Sequence, residues 1–359
     1  MGVARRLLTF LALAAAATVV DASRADETKR PDADAQPPAQ TQIDAAVARG
    51  VAWLRGEQEQ DGAFGTQAGE TALALLALRH SGVAEDDPAC RHAATRLLRD
   101  LPDGTSYGAS LGLVALLAQE GAAAREKAQA LAGDLTRAQC ENGQWSYAAR
   151  RTSSAKAGDN SNTQLAVLAL AAARARGVDV PHASFDRVAA WFRATQNDDG
   201  GWGYSKNERS ASYAGMTAGA VMCMSLASEA HAPGDPALAA VPEIKRGLAW
   251  LAVRFDPGRN AGAALAFGAK KGRRSDDFWR HYWLWSLERA CSASGAARLG
   301  ERDWYGEGAR FLLARQRDDG SWVGPERSGL ASSFALLFLA RGTLRVVTPH
   351  AAAGASTPR

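Results

Sequence analysis

The chain is poor in the side chains that usually hold metals, with six histidines and four cysteines among 359 residues. Cys90, Cys140, Cys223 and Cys291 form no Cys-x-x-Cys pair and no histidine stands at ligand spacing, so neither structural zinc nor any other cofactor is expected. Four cysteines permit three pairings into two disulfides, although Cys223, inside the apolar stretch Val221 to Leu226, reads as a buried thiol. Charge is also scarce in excess. A formal net charge of +4, scattered along the sequence, gives no basic face, and nucleic acid is not an expected partner. The apolar run Leu7 to Val20 falls short of the roughly 20 residues that span a bilayer. It follows Arg5-Arg6 and precedes small residues, so 1–22 reads as a signal peptide. The expectation is an exported protein, periplasmic or extracellular, with no stable transmembrane anchor.

What the chain does have is a spacing used four times: an apolar residue, glutamine four positions on, glycine four after that, and an aromatic two further. The four windows are Leu54, Gln58, Gly62, Phe64; Leu135, Gln139, Gly143, Trp145; Phe192, Gln196, Gly200, Trp202; and Leu312, Gln316, Gly320, Trp322. Fixed offsets of this kind indicate an array of similar units that share one core. Each window follows one helical pattern and precedes another, so the unit is helix, glycine turn, helix. Weaker copies at 91–107 and 246–258 raise the number of units to six. Second helices are expected at about 70–80, 108–120, 162–176, 214–229, 277–291 and 329–341. These are apolar nearly all round and should be enclosed, whereas the first helices carry Arg and Glu on one face. Residues 23–42, rich in Asp, Ala, Pro and Gln, read as a flexible linker, and 344–359 as a disordered tail.

The pattern Arg49-Gly50-x-x-Trp53-Leu54-x-x-x-Gln58-x-x-x-Gly62-x-Phe64 resembles the QW repeat of squalene and hopene cyclases and of protein prenyltransferase β-subunits. The resemblance implies an all-α fold, an (α/α)6 toroid of six helical hairpins covering 43–343. With Asp159 to Gln164, Asp199 to Tyr204, Asp303 to Tyr305, Asp319 to Trp322 and Phe334 to Ala340, the chain is similar to exported squalene-cyclase-like proteins of environmental bacteria such as planctomycetes. Hopene-type cyclases protonate an alkene with the middle Asp of Asp-x-Asp-Asp-Thr-Ala. The corresponding string here is Asp159-Asn160-Ser161-Asn162-Thr163-Gln164, which places Ser161 where the proton donor would stand. Prenyltransferases hold zinc with Asp, Cys and His, and no Asp-x-Cys partner is visible.

The densest group of functional side chains is Asp276 to Trp285. On a helix, Asp277, His281 and Trp285 would share one stripe, joining a carboxylate, an imidazole and an aromatic plate. Asp159, Asn162 and Gln164 open the third second-helix, Glu70 the first, and Tyr213 lies near the start of the fourth. If these helices start at one mouth, the eight residues surround a central cavity; taken singly, the polar ones are helix caps. The expected function is a ligand-binding or scaffold module lacking the cyclase acid, with an isoprenoid, lipid or glycan in the cavity. The alternative is an enzyme, either a terpenoid cyclase-like isomerase acting as an intramolecular transferase or a carbohydrate-active enzyme using Asp159 and Asp277. Lys206 to Ser212 reads as a loop rich in charge and small residues.

Overall fold

In the computed structural model the described residues are 36–149, 157–204, 210–231, 241–266 and 276–341. The leader and the tail lie outside them, as do most of the linker and residues 206–209 of the charged loop. Among the described residues the protein is all-α, with thirteen helices and no strand. They are α1 (Gln40–Gly56), α2 (Ala68–His80), α3 (Pro88–Asp100), α4 (Ser106–Leu117), α5 (Ala122–Ala138), α6 (Asn160–Ala175) and α7 (His182–Thr195). There follow α8 (Ala214–His231), α9 (Pro242–Arg254), the single turn α10 (Ala263–Ala266), α11 (Arg280–Ser294), α12 (Trp304–Leu313) and α13 (Ser328–Leu339). No helix among them is long and apolar enough to cross a membrane.

Two kinds of helix alternate. α1 buries Ile43, Ala46, Gly50, Val51 and Leu54, a stripe at three- and four-residue spacing, and α9 buries Ile244, Gly247, Trp250 and Leu251 in the same way. By contrast α2, α4, α6, α8, α11 and α13 are buried on nearly every side. Enclosure of that extent requires helical neighbours all round. α2 packs on α4, α4 on α6, α6 on α8, α8 on α11, α11 on α13, and α13 on α2.

The four glutamine windows share one geometry, and it explains each residue of the spacing. The glutamine Nε2 donates to the carbonyl of its own glycine and to a carbonyl near the start of a different first-type helix. Gln58 reaches Ala89 (2.9 Å), Gln139 reaches Ser184 (2.9 Å), Gln196 reaches Glu243 (3.0 Å) and Gln316 reaches Ala46 (2.8 Å). The glycine carbonyl lies outside any helix and gains a donor, while the second bond, to a carbonyl within a helix, pins the chain reversal to that neighbour. The tryptophan Nε1 turns back to the carbonyl of the apolar residue ten positions earlier, Trp145 to Leu135, Trp202 to Phe192 and Trp322 to Leu312. Phe64 has no such donor. All four glycines have φ between 87° and 93°, and a Cβ on Gly143 would stand 2.4 Å from the carbonyl oxygen of Arg187. That combination of left-handed backbone and close approach admits only glycine. Gly50 and Gly247 fill a different need, since a Cβ at either would strike the indole of Trp322 or Trp202.

One element departs from expectation. Helix α11 begins at Arg280 and not near 277, because Trp279 before it is left-handed, with φ 57° and ψ 40°. The segment ahead is held elsewhere: Asn260 Nδ2 donates to the Phe278 carbonyl (3.1 Å), and Asp276 accepts from Arg259 and from the Ala264 amide. The four cysteines form no disulfide and are buried thiols.

Candidate functional site

A cavity of about 60 Å³ lies where the N-terminal turns of the six enclosed helices come together. Five of the six contribute a pair about one turn apart, among them Gly69 and Leu73 from α2, Tyr107 and Leu111 from α4, and Ser161 and Leu165 from α6. α11 supplies Tyr282 and Trp285, α13 supplies Leu330 and Phe334, and Met216 of α8 is joined by Tyr213 just before that helix. Tyr204, Asn260 and Trp279 complete the wall from the connecting segments. The surface is mainly aromatic and aliphatic. Trp285 stacks on Phe334 with centroids 5.2 Å apart, and Tyr282 meets Phe334 edge to face at 5.6 Å.

One side of the wall is a hydroxyl cluster built on the α6 N-cap. Asp159 Oδ1 accepts from the backbone amides of Ser161 and Asn162 (2.9 Å each) and from Ser161 Oγ (2.6 Å), while Oδ2 accepts from Asn162 Nδ2 (2.8 Å). Ser161 Oγ in turn accepts from the Tyr107 hydroxyl (2.8 Å). It lies 3.3 Å from the Tyr204 hydroxyl, which is 2.6 Å from that of Tyr147. Burial pushes the Asp159 carboxyl above its ordinary value, against the hydrogen bonds from Ser161 and Asn162 that pull it down. Burial likewise raises the Tyr147 phenol to about 12 and those of Tyr107, Tyr204 and Tyr213 upward, so these hydroxyls keep their protons at neutral pH.

No known protein family matches this chain, and no curated protein matches it either. The site is therefore read from its own chemistry.

Of the eight residues singled out in the sequence, the structure places Trp285 and Tyr213 in the cavity wall. Asp159 stands directly behind it, through Ser161. Gln164, fully buried, accepts from Arg289 Nη2 (3.0 Å), and Asn162 serves the Asp159 cap. Glu70 accepts from the amides of Thr66 (2.7 Å) and Gln67 (3.2 Å) and pairs with Arg327, so it closes a loop and not the cavity. The stripe of Asp277, His281 and Trp285 is not formed, since Asp277 lies in the turn before α11 and its carbonyl accepts from the Arg280 amide. The carboxylate facing His281 is instead Glu326. Its Oε2 is 3.2 Å from His281 Nδ1, its Oε1 accepts from the His281 amide (3.1 Å), and both side chains are 1 % exposed. Burial alone would raise the Glu326 carboxyl, but His281 and Arg280 hold it below the ordinary value.

Sequence reasoning missed Tyr107, Tyr204, Trp279, Tyr282 and Phe334 as wall residues. The usable signal was positional. First-turn residues of the enclosed helices converge there, which marked Tyr107 and Tyr282; Phe334 stands a turn further along its helix, and Tyr204 and Trp279 lie outside helices, where no periodic signal points to them.

Proposed function

We propose that this protein is an exported ligand-binding module whose site is the aromatic cavity, set at one mouth of an (α/α)6 toroid of the squalene-cyclase and prenyltransferase type. The observation that carries the reading is that all six enclosed helices supply first-turn residues to one apolar cavity. The cyclic order of their contacts and the tie from Gln316 back to Ala46 support the toroid. The volume suits a small apolar body better than a long chain lying wholly inside, because each solvent-sized occupant takes about 10–15 Å³. Trp279 and Trp285 in the wall provide the readout. Native mass spectrometry of protein purified from its own cells, followed by organic extraction, should release a small apolar compound that quenches tryptophan emission when returned to the emptied protein. Protein that carries nothing, and whose emission no apolar compound perturbs, would leave the scaffold reading in its place.

A second, enzymatic reading rests on Asp159. Its raised carboxyl reaches the cavity through Ser161 Oγ, so a protonated Asp159 would pass its proton to Ser161 Oγ as Ser161 gives its own to a bound alkene, and the cation formed would return a proton to that oxygen as the double bond re-forms, restoring the acid. Turnover of an isoprenoid alkene that is lost in Asp159→Asn would favour it. The glycosidase reading gains no such support, because Asp277 does not line the cavity.

A further inference from the structure

The residues that line the cavity include no charged side chain. Behind the wall stands one ionisable group of each sign: Asp159, which accepts from Ser161 Oγ, and Arg289, which is 0 % exposed and has its guanidinium 3.8 Å over the Trp285 ring. A charged ligand would leave water for a surface that offers it no counter-ion, and that transfer is costly. The occupant that fits is neutral.

Its polar group follows from the hydroxyl cluster. Ser161 lines the cavity with a side chain that is only Cβ and Oγ, and the wall residues Tyr107 and Tyr204 bring their hydroxyls to 2.8 and 3.3 Å from that oxygen. The amides of Ser161 and Asn162, Asn162 Nδ2 and Ser161 Oγ all donate to Asp159, so the Ser161 proton points at the carboxylate. That fixes the rest. The Tyr107 proton turns to Ser161, and the Tyr204 proton has Ser161 or the Tyr147 hydroxyl, 2.6 Å away, to receive it. Each hydroxyl brings one proton but two lone pairs. The cluster is therefore short of donors, and a ligand that supplies one suits it better than a ligand that only accepts. Asn260 offers no alternative, because its Nδ2 donates to the Phe278 carbonyl and its Oδ1 accepts from the Gly215 amide.

We propose that the cavity takes a small neutral alcohol, its apolar body against Trp285 and Phe334 and its hydroxyl donating to the phenol oxygen of Tyr107 or Tyr204. The inference rests on the ligand-binding reading above and adds the charge and the polar group of the ligand.

The test is a calorimetric titration of the intact protein at neutral pH with four probes sharing one ring: cyclohexanol, cyclohexanone, cyclohexanecarboxylate and cyclohexylamine. Cyclohexanol should bind at least about fivefold more tightly than cyclohexanone, the difference of one net hydrogen bond, and at least about tenfold more tightly than either charged probe. Tyr107→Phe combined with Tyr204→Phe should bring alcohol and ketone to within about twofold of each other while leaving ketone affinity within about threefold. Tyr204→Phe alone should lower the ratio at least about twofold and answers the question if the double variant does not fold. Cyclohexanone binding as tightly as cyclohexanol, a charged probe binding more tightly, or a ratio unmoved in the phenylalanine variants overturns this inference and leaves the cavity reading standing. No binding of any probe overturns both.

Discussion

Replacing Gln316 by leucine tests the join between the two ends of the described chain. Its amide makes three hydrogen bonds: Nε2 to the carbonyls of Ala46 (2.8 Å) and Gly320 (2.9 Å), and Oε1 from Arg49. At about 0.5–1.5 kcal/mol net for each bond, losing three predicts about 1.5–4.5 kcal/mol. The site is only partly buried, so freed carbonyls reach some water, and about 2 kcal/mol is the expected loss. Gln139→Leu is the internal comparison. That amide is 6 % exposed, donates to Gly143 and Ser184 and accepts from Arg187, so its loss should approach about 3 kcal/mol. Urea unfolding followed by circular dichroism reads both. Against a total stability of about 5–15 kcal/mol, either variant should shift the midpoint clearly. If Gln139→Leu loses stability as expected and Gln316→Leu stays within about 0.5 kcal/mol of the parent, then α1 is not held by α12, and the argument for a closed array fails.

Three further outcomes follow from the geometry. Gly143→Ala should cost at least about 2 kcal/mol, from the positive φ and the clash with Arg187 together; Gly177→Ala, also at positive φ but facing open space, should cost only about 1 kcal/mol, and equal losses in urea would discount the close approach. Burial raises the Cys90 thiol to about 11 and those of Cys223 and Cys291 further, so iodoacetamide at pH 8 should label no cysteine in the native protein and all four in urea, with native labelling counting against the packing. Glu326 has its folded carboxyl below its ordinary value of 4.5, so its contribution is complete above that pH and is lost as pH falls through the folded value. Glu326→Gln should flatten this part of the acid unfolding curve, and an unchanged curve would remove the His281 pair as its source.

Much of the helix plan was legible because it follows from short-range chemistry. Periodicity located the enclosed helices to within a few residues, and the glutamine windows marked the chain reversals. Their hydrogen bonds were foreseeable in kind, but the partner carbonyls at Ala46, Ala89, Ser184 and Glu243 were not, since these lie on other helices. Nor was the hydroxyl that serves each window's aromatic amide, supplied by Thr71, Thr163, Thr217 or Ser332 at no fixed offset. The misplacement of Asp277 has a specific cause: helical periodicity reads smoothly through Trp279, and only the ties from Asn260 and Arg259 show that the backbone turns there. His281 then finds its carboxylate 45 positions away in Glu326, a distance at which sequence spacing says nothing.

The bonds from Gln316 and Arg49 also set an order of events during synthesis. α1 leaves the ribosome about 270 residues before the side chain that fastens its carbonyl at Ala46. Until then the indole of Trp322, which lies against Gly50, is missing as well, and the apolar stripe of α1 has no cover on that side. Contacts so far apart in sequence form late and slowly. Thus the first described helix to be made is among the last to be secured, and a chain interrupted before residue 312 would leave that stripe open to chaperones, proteases or a neighbouring copy.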